Sequence, residues 1–327
     1  MNTFGQCFRV SIFGESHGEV IGVAVDGCPA GIAICPADFM HDLQRRQSGA
    51  KGTTARREAD VPRIVSGVYQ GYSTGAPVAI LFENNDTRSG DYELFRSVPR
   101  PGHADFAATK KWDGFNDLRG SGHLSGRLTV ALVAAGVIAK KLIAPATVEA
   151  ELTEAGGQAN IAEAVEKAVA AGDSIGGIIT CSVRNAPAGW GEPFFNSVES
   201  LISHLVFSIP GVNAIAFGTG FEAARMHGSE HNDAFISPEG QTATNHVGGI
   251  NGGITNGNEI FFRVSVKPTS SIAKPQHTLN MTTGEITELV IRGRHDACFA
   301  LRLPVIVEAA TAIALAELMS LGVNLNE

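Results

Sequence analysis

The stretch that decides the fold runs from Leu128 to Ile143, with the sequence LTVALVAAGVIAKKLI. It predicts a helix that is apolar nearly all round and rich in alanine and glycine. A helix of this kind has no polar face to turn towards water, so we expect it to be buried between layers of the fold. Val305 to Leu321 predicts a second, mostly apolar helix that closes the chain.

Other segments predict strands and further helices around this pair. Glu259 to Lys267 alternates apolar with polar residues, which is the period of a strand. Pro36 suits the first turn of a helix that continues to the Arg45-Arg46 pair. Further strands are predicted at 8–13, 20–25, 64–70 and 76–82, and an amphipathic surface helix at Ile161–Ala171.

No low-complexity linker divides the 327 residues. The weakest segment is Pro145 to Gly157, which predicts an acidic, glycine-containing loop and marks a candidate subdomain edge. We nevertheless expect one domain that spans residues 1–327, since a chain of this length can bury one large core.

Composition limits the classes of partner. The net charge of −8 argues against a general nucleic-acid or membrane-surface binder. The segment from Gln44 to Arg127 is an exception, with 13 Lys and Arg against 9 Asp and Glu, whereas the rest of the chain has 12 against 24. An arginine-rich segment in an acidic protein predicts a focused site for a small anion, because guanidinium groups bind phosphate and carboxylate bidentately.

Cysteine usage predicts a reducing compartment. The 5 cysteines are odd in number and show no Cys-x-x-Cys spacing. Arg9 and Glu15 interrupt the start of the chain, so no signal peptide is visible. The longest strongly apolar helical run, taken as Leu128 to Ala139, is too short to span a membrane. We expect a cytoplasmic protein.

Five polar motifs, four of which contain glycine, carry the candidate chemistry. The first places Ser16 and His17 between Gly14 and Gly18, directly after a predicted strand. A histidine with a pKa near neutrality can donate a proton to a leaving group, and the serine can anchor the same anion. A turn histidine satisfied by the backbone is the alternative. The other motifs are Arg100–Asp105, Gly120–Arg127, Lys267–Ser271 and Arg292–Asp296.

These four motifs combine imidazole, hydroxyl, guanidinium and carboxylate groups. Gly120–Arg127 directly precedes the first predicted buried helix, and a helix N-terminus favours anions. Exposed turns remain the alternative for Arg100–Asp105 and Lys267–Ser271, and a structural salt-bridge cluster for Arg292–Asp296. His227, His231 and His246 lack metal-ligand spacing, so we predict no metal site.

Taken together, the motifs resemble those of the chorismate synthase family, in family order and over nearly the whole chain. The matching blocks are Phe13–Gly18, Asp42–Arg46, Arg56–Glu58, Arg100–Asp105, Ser125–Arg127, Ser208–Gly211, Asn245-His246, Gly248–Ile250, Gly252–Ile254, Lys267–Ser271 and Gly293–Asp296. The resemblance implies a single large α/β domain with buried helices layered between β-sheets, a β-α-β sandwich, assembled as a homotetramer.

The resemblance also implies a reaction, the last step of the shikimate pathway. It is the anti-1,4-elimination of phosphate from 5-enolpyruvylshikimate 3-phosphate, which gives chorismate. The family requires reduced FMN without net redox change: the flavin lends electron density as the C–O bond breaks and recovers it as a proton leaves the ring carbon, towards flavin N5. NADPH is a candidate reductant, and no residue decides whether this chain uses it.

Residue roles carry over from the family position by position. His17 would protonate the departing phosphate, and His103 would lie near flavin N1. Asp296 would relay the proton taken up at N5, helped by Ser16 and Ser125. Arg46, Arg56 and Arg127 would hold the substrate phosphate and carboxylates. The implied FMN contacts are His123, Leu124, Ser125, Gly252, Lys267, Pro268, Thr269, Ser270, Ser271 and Arg294.

The chain departs from the commonest family pattern at His123, Leu128, Asn213 and His227, and its region 145–200 looks shortened. These departures bear on flavin affinity rather than on the proton donors. Two other functions use the same residues: a flavin-independent phosphoester hydrolase or transferase, and a non-catalytic flavin-binding module. The first predicts phosphate release without flavin, and the second predicts FMN binding without turnover.

Overall fold

The computed structural model describes residues 2–54, 56, 58–86, 92–291 and 295–324. The strands are β1 Thr3–Phe4, β2 Arg9–Gly14, β3 Val20–Asp26, β4 Arg63–Ser66, β5 Val68–Tyr69, β6 Tyr72–Ser73, β7 Val78–Glu83, β8 Thr147–Ala155, β9 Gly177–Arg184, β10 Val212–Phe217, β11 Ile250–Asn251, β12 Ile254–Thr255, β13 Ile260–Val266, β14 Gln276–Leu279 and β15 Ile286–Leu289. The α-helices are α1 Pro36–Arg46, α2 Leu94–Ser97, α3 Asp105–Lys111, α4 Thr129–Leu142, α5 Ile161–Ala170, α6 Val198–Phe207, α7 Gly228–His231 and α8 Pro304–Asn324. Short 3₁₀ turns lie at Arg119–Leu124, Gly126–Leu128, Phe194–Asn196, Gly220–Arg225 and Phe299–Arg302.

Two antiparallel sheets form the outer layers. The first has five strands in the order β1-β2-β3-β7-β4, and the second has four in the order β10-β13-β9-β8. β13 pairs with β9 along its whole length, from Ile260 opposite Val183 to Val266 opposite Gly177. Its apolar residues point inwards, as the alternation in the sequence predicts.

Two helices fill the space between the sheets, as the sequence predicts. α4 packs against β3 of the first sheet and against α8, and α8 packs against β8 of the second sheet. The two helices approach closely at Gly136, where a Cβ atom would lie 2.3 Å from the Ala309 Cβ. Glycine inside α4 is therefore required for helix packing, which offsets its low helix propensity. Apolar side chains of both sheets and both helices form one continuous core.

Helix α8 carries two buried carboxylates, Glu308 in its first half and Glu317 in its second half. Glu308 pairs with Arg45 at 2.6 Å and with Lys140 at 2.9 Å, and it also accepts the Ala150 N–H. Glu317 accepts the backbone N–H groups of residues 6–8, which connects the start of the chain to its last helix. Each buried carboxylate is thus compensated by cations or N–H donors in contact with it, as a stable buried charge requires.

The structure corrects three predictions. Pro145–Gly157 is not a loop: residues 147–155 form β8, an edge strand whose glutamates occupy the outward positions and so conceal the strand pattern. The strand predicted at 64–70 is broken at Gly67, whose backbone has φ +79° and where a Cβ would lie 2.6 Å from the Pro77 carbonyl oxygen. The longest apolar helical run is Pro304–Gly322, not Leu128–Ala139.

The run from Pro304 to Gly322 is long and apolar enough to cross a membrane by length and composition alone. In the fold, 78% of this window is buried inside the protein. It is therefore accounted for as a core helix.

Candidate active site

One cavity of about 850 Å³ gathers most of the residues that the sequence singles out. Its walls come from the turn after β2, the end of α1, the loops at 54–60 and 100–104, the turns before α4, and the segments 267–271 and 295–302. These segments are far apart in the sequence, and the sandwich brings them together at one end of α4.

Ser16 and His17 stand on the turn after β2, with Ser16 fully buried. The His17 ring meets Tyr92 edge-on, with ring centroids 5.3 Å apart. Gly120 lies against both side chains: a Cβ there would be 2.6 Å from His17 Cδ2 and 2.7 Å from Ser16 Oγ. Burial lowers the pKa of His17 from its ordinary value of 6.5, and the positive charges of Arg56 and Arg119 lower it further.

Arg56 fixes Ser16 in place. Its Nη1 donates to Ser16 Oγ at 2.9 Å and its Nη2 to the Ser16 carbonyl oxygen at 3.0 Å. The same guanidinium pairs with Glu58, from Nη2 to Oε1 at 2.7 Å. Glu58 is in turn held by the Asn85 N–H at 2.9 Å. The buried carboxylate of Glu58 therefore compensates the charge of Arg56 and fixes its guanidinium group at the cavity wall.

Arg46 and Arg127 share a single carboxylate, that of Asp60. Arg46 Nη2 lies 2.5 Å from one Asp60 oxygen and Arg127 Nη1 lies 2.5 Å from the other. All three side chains are almost completely buried, and Asp60 has a backbone φ of +50°. Asn84 accepts from Arg127 Nε at 3.0 Å. Two guanidinium groups thus lie side by side at the cavity wall, and the carboxylate of Asp60 bridges them.

His103 belongs to a second charged cluster. Its Nδ1 lies 2.7 Å from Asp105, whose two oxygens also accept from Arg100 at 2.7 Å each. Its Nε2 lies 3.2 Å from the Ser121 hydroxyl. Burial would raise the pKa of Asp105, but the hydrogen bonds from Arg100 and His103 outweigh it and hold that pKa well below its usual range. Because a carboxylate oxygen can only accept, the contact with Asp105 places a proton on Nδ1 of His103.

The segment 267–271 closes the cavity from the second sheet. Lys267 Nζ donates to the Gly102 carbonyl oxygen at 2.6 Å, and the Ser270 hydroxyl donates to the same oxygen at 2.7 Å. Ser271 accepts from Arg100 at 3.1 Å. Thr269 Oγ1 is buried and has no hydrogen-bond partner among the described residues.

Asp296 lies on the far wall, before the last 3₁₀ turn. Its Oδ1 accepts the Thr54 N–H at 2.9 Å, and its Oδ2 lies 2.8 Å from Arg302 Nη2. Thr54 and Arg56 belong to the same short loop, so one loop contacts Asp296 at one point and Ser16 at another.

His123, Leu124 and Ser125 line the cavity in front of α4. His123 Nδ1 donates to the Gly14 carbonyl oxygen at 2.7 Å, since a carbonyl oxygen can only accept. Ser125 begins the 3₁₀ turn before α4, and its hydroxyl accepts the Arg127 N–H at 3.3 Å. His123 is thus oriented by the first motif despite its departure from the family pattern.

The cavity therefore contains fifteen of the predicted site residues. They are Ser16, His17, Arg46, Arg56, His103, His123, Leu124, Ser125, Arg127, Lys267, Pro268, Thr269, Ser270, Ser271 and Asp296. Gly252 does not line it: this residue is exposed in the turn between β11 and β12, and its assignment to the cofactor stays a prediction. Arg294 lies outside the described residues. Asn213 and His227 are exposed and away from the cavity, whereas Leu128 is part of its wall.

Sequence reasoning missed the residues that hold the others in place. These are chiefly Asp60, Glu58, Tyr92 and Arg302, whereas the carboxylate beside His103, Asp105, was predicted. A signal was present, because Glu58 and Asp60 are acidic residues inside the basic segment. A buried cation needs an anion beside it, and this segment supplies them locally. Among the described residues no group of three or more His, Cys, Asp or Glu is arranged to hold a metal ion.

A concave site with several buried guanidinium groups and a pKa-shifted histidine defines an enzyme that acts on a small anion. Comparison with known proteins identifies which one. A family model described as chorismate synthase matches residues 8–320. The chorismate synthase of Chitinophaga pinensis is 59% identical over 322 residues, which cover 98% of this chain and 97% of that protein.

Other relatives agree. The chorismate synthase of Dehalococcoides mccartyi is 42% identical over 349 residues, covering 97% of this chain and 96% of that protein. A solved structure described as "Crystal Structure of Chorismate Synthase" has the same fold, with a TM-score of 0.74, 23% identity, and coverage of 97% of this chain and 92% of that one.

The chain belongs to the chorismate synthase family. It has chorismate synthase function, a lyase activity of the shikimate pathway. The family as a whole generally depends on reduced FMN. The prediction of a β-α-β sandwich is confirmed by the fold.

Proposed function

We propose that the cavity binds 5-enolpyruvylshikimate 3-phosphate together with reduced FMN, and that its own side chains carry the proton transfers of the 1,4-elimination. The observation that carries this proposal is the meeting of His17 with Arg46, Arg56 and Arg127 in one cavity. The substrate bears a phosphate and two carboxylates, and guanidinium groups are the side chains best suited to both.

The residues at the cavity fit FMN. A flavin mononucleotide needs donors for its phosphate and for its ring oxygens and nitrogens. The Lys267 ammonium and the Ser270 hydroxyl supply polar groups on one wall, and His123 and Ser125 supply polar groups on another. Reduced FMN, when bound, lends electron density to the reacting allylic system and recovers it, so the reaction has no net redox change.

His17 would donate a proton to the phosphate as the C–O bond breaks. The lowered pKa of the ring keeps it neutral near pH 7 before substrate binds. A phosphate dianion at hydrogen-bond distance would raise that pKa and load the ring with the proton it must give. Ser16, held by Arg56, would contact the same phosphate.

Asp296 would relay onward the proton that leaves the substrate ring carbon, with Ser16 and Ser125 as hydroxyl partners. The loop that contains Thr54 and Arg56 contacts both Asp296 and Ser16, which supports a continuous polar wall between them. His103, with its proton fixed on Nδ1 by Asp105, would present Nε2 to the flavin and settle its protonation at N1.

Three further properties belong to the same proposal: assembly as a homotetramer, a cytoplasmic location, and reduction of FMN by NADPH or by another donor. A homotetramer would give Gly252, exposed on its hairpin, a way to reach a neighbouring subunit's cofactor. Analytical ultracentrifugation with and without FMN tests the assembly directly.

The deciding experiment is anaerobic turnover of 5-enolpyruvylshikimate 3-phosphate, with chorismate followed by absorbance. Dithionite-reduced FMN should give chorismate, and oxidised FMN should give none. Phosphate release without flavin would instead favour a hydrolase, and flavin binding without product would favour a binding module.

A variant pair assigns the chemistry to this cavity. His17→Ala should lower turnover by roughly 10²-fold or more while FMN binding stays largely intact. His277→Ala is the matched control, because His277 is exposed on β14 and does not line the cavity. Near-normal turnover of His17→Ala would remove His17 from the mechanism.

A further inference from the structure

We propose that Arg302 is a positioning residue for Asp296, which orients the carboxylate so that it can receive the substrate proton. This inference rests on the proton-accepting role of Asp296 proposed above. Arg302 is absent from the motifs that mark the family in this sequence, and its place is visible only once the chain is folded.

The geometry leaves Asp296 ready to take a proton. Arg302 Nη2 lies 2.8 Å from Oδ2, and the Thr54 N–H lies 2.9 Å from Oδ1. Each oxygen thus accepts one hydrogen bond and keeps a second lone pair. The Asp296 and Arg302 side chains retain only 12% and 14% of their exposure, so the pair is nearly dry yet open to the cavity.

Arg302 also contacts an aromatic ring. Its guanidinium carbon lies 5.2 Å from the centre of the Phe299 ring, within the range of a cation–π contact. The Phe299 ring in turn lies against Gly126, where a Cβ atom would be 3.0 Å from Phe299 Cζ. Asp296 is therefore positioned through Arg302 and Phe299 relative to the turn that carries Ser125, the hydroxyl proposed to assist it.

The electrostatics of the pair are mutual. Burial lowers the pKa of Arg302, and the negative charge of Asp296 opposes that effect. The positive charge of Arg46 also lowers the pKa of Arg302, and the negative charge of Asp60 raises it. Burial raises the pKa of the Cys298 thiol, and the charge of Asp296 adds to it. Removal of Arg302 takes away the positive charge that Asp296 contacts, and loss of a contacting cation favours the neutral form of a buried acid.

The pairing pattern separates Arg302 from the arginines assigned to substrate. Arg46 and Arg127 share Asp60, and Arg56 pairs with Glu58. Among the described residues, Asp296 is the carboxylate with which Arg302 forms an ion pair. The Asp296–Arg302 ion pair is therefore separate from the ion pairs of the arginines proposed to hold the substrate phosphate. It lies at the part of the cavity wall proposed to receive the proton.

The test is the pH profile of kcat for four variants, measured anaerobically with saturating reduced FMN and substrate. Activity needs the ionised carboxylate, so it falls on the acid side. In Arg302→Gln the acid limb should move to higher pH by about one unit or more. Arg302→Lys keeps a positive charge and should restore most of the original profile. Arg184→Gln, which removes an arginine from an exposed ion pair, should not move the limb.

The variant Asp296→Asn distinguishes the role of Asp296 in proton transfer from the positioning role of Arg302. Near-normal turnover of Asp296→Asn would remove that residue from proton transfer and refute the role on which this inference rests. A slow Asp296→Asn combined with an unmoved acid limb in Arg302→Gln would overturn the inference alone. So would a raised KM with the limb unmoved, since Arg302 would then be a substrate-binding residue. FMN fluorescence titration and circular dichroism on each variant exclude loss of the folded site, and Arg302→Lys keeps the test open if Arg302→Gln does not fold.

Discussion

Gly120 and His17 lie so close that a Cβ atom on Gly120 would be 2.6 Å from His17 Cδ2 and 2.7 Å from Nε2. No side chain fits there without moving the imidazole. Gly120 also has φ +57°, a conformation that alanine adopts at a cost of about 1 kcal/mol. We predict that Gly120→Ala lowers kcat by at least about tenfold, because displacement of a catalytic group by an ångström costs that much or more.

A matched control separates displacement of His17 from backbone strain. Gly157 also has a positive φ, +77°, but no heavy atom lies within 4 Å of the position of its missing Cβ. Gly157→Ala should therefore show a similar loss of unfolding free energy with unchanged kcat. Equal kcat in the two variants would mean that His17 adapts to the added methyl group.

Asp60 is the shared anion of two buried arginines, and its removal should affect both stability and substrate binding. Asp60→Asn keeps the shape, and asparagine tolerates the positive φ of this residue. The amide, however, offers one acceptor where two guanidinium groups need one each. We predict a loss of about 3–5 kcal/mol of unfolding free energy in urea titrations, together with a raised KM.

The control for Asp60→Asn is an ion pair on the surface. Lys51 and Glu166 lie 2.5 Å apart with side chains 65% and 58% exposed. Glu166→Gln should cost less than about 1 kcal/mol, because water screens the pair. If Asp60→Asn were no more costly than this variant, the arginines at the cavity would not depend on Asp60 for their position.

The sequence predicted those parts of the fold that depend on local patterns. The helices α1, α4, α5 and α8 and the strands β2, β3 and β13 lie within a few residues of their predicted bounds, because period and end signals are local properties. β8 was missed for a local reason as well: its outward glutamates resemble those of a solvated loop until the pairing with β9 is known.

The candidate site was predicted as a set of residues and not as a set of contacts. The sequence indicated His17, His103 and the three arginines. It did not indicate that Asp60 joins Arg46 to Arg127, since these residues are 14 and 67 positions away from it. Nor did it indicate Arg302. The contact of Asp60 with both Arg46 and Arg127 is set by the packing of segments that are separate in the sequence, and no local period of the sequence encodes it.

Glu317 should stabilise the fold through the backbone of residues 6–8. Its oxygens accept the Gln6 N–H at 2.6 Å, the Cys7 N–H at 3.1 Å and the Phe8 N–H at 2.7 Å. Glu317→Leu removes these acceptors inside the core and leaves the N–H groups unpaired. We predict a loss of about 3 kcal/mol or more of unfolding free energy, with faster amide hydrogen exchange at residues 6–8.

Glu166→Leu, on an exposed face of α5, controls for the change from a carboxylate to a leucine. It should change neither the unfolding free energy appreciably nor the exchange of the three amides. Unaltered exchange at residues 6–8 in Glu317→Leu would show that other contacts suffice to hold the start of the chain.

The lowered pKa of His17 makes a prediction about stability against pH. Above its ordinary pKa of 6.5 the ring is neutral in both the folded and the unfolded chain, so the shift adds no pH dependence. As the pH falls below 6.5, the unfolded chain takes up the proton first, and the folded state loses stability until the pH has passed the folded pKa. His17→Gln should therefore lose less unfolding free energy than the unmodified protein between pH 7.5 and pH 5.5, while His277→Gln should follow the unmodified protein.

An anion bound beside the His17 ring opposes this effect, so saturating inorganic phosphate should reduce the difference between His17→Gln and the unmodified protein. A difference that phosphate leaves unchanged would mean that the anion does not bind next to His17.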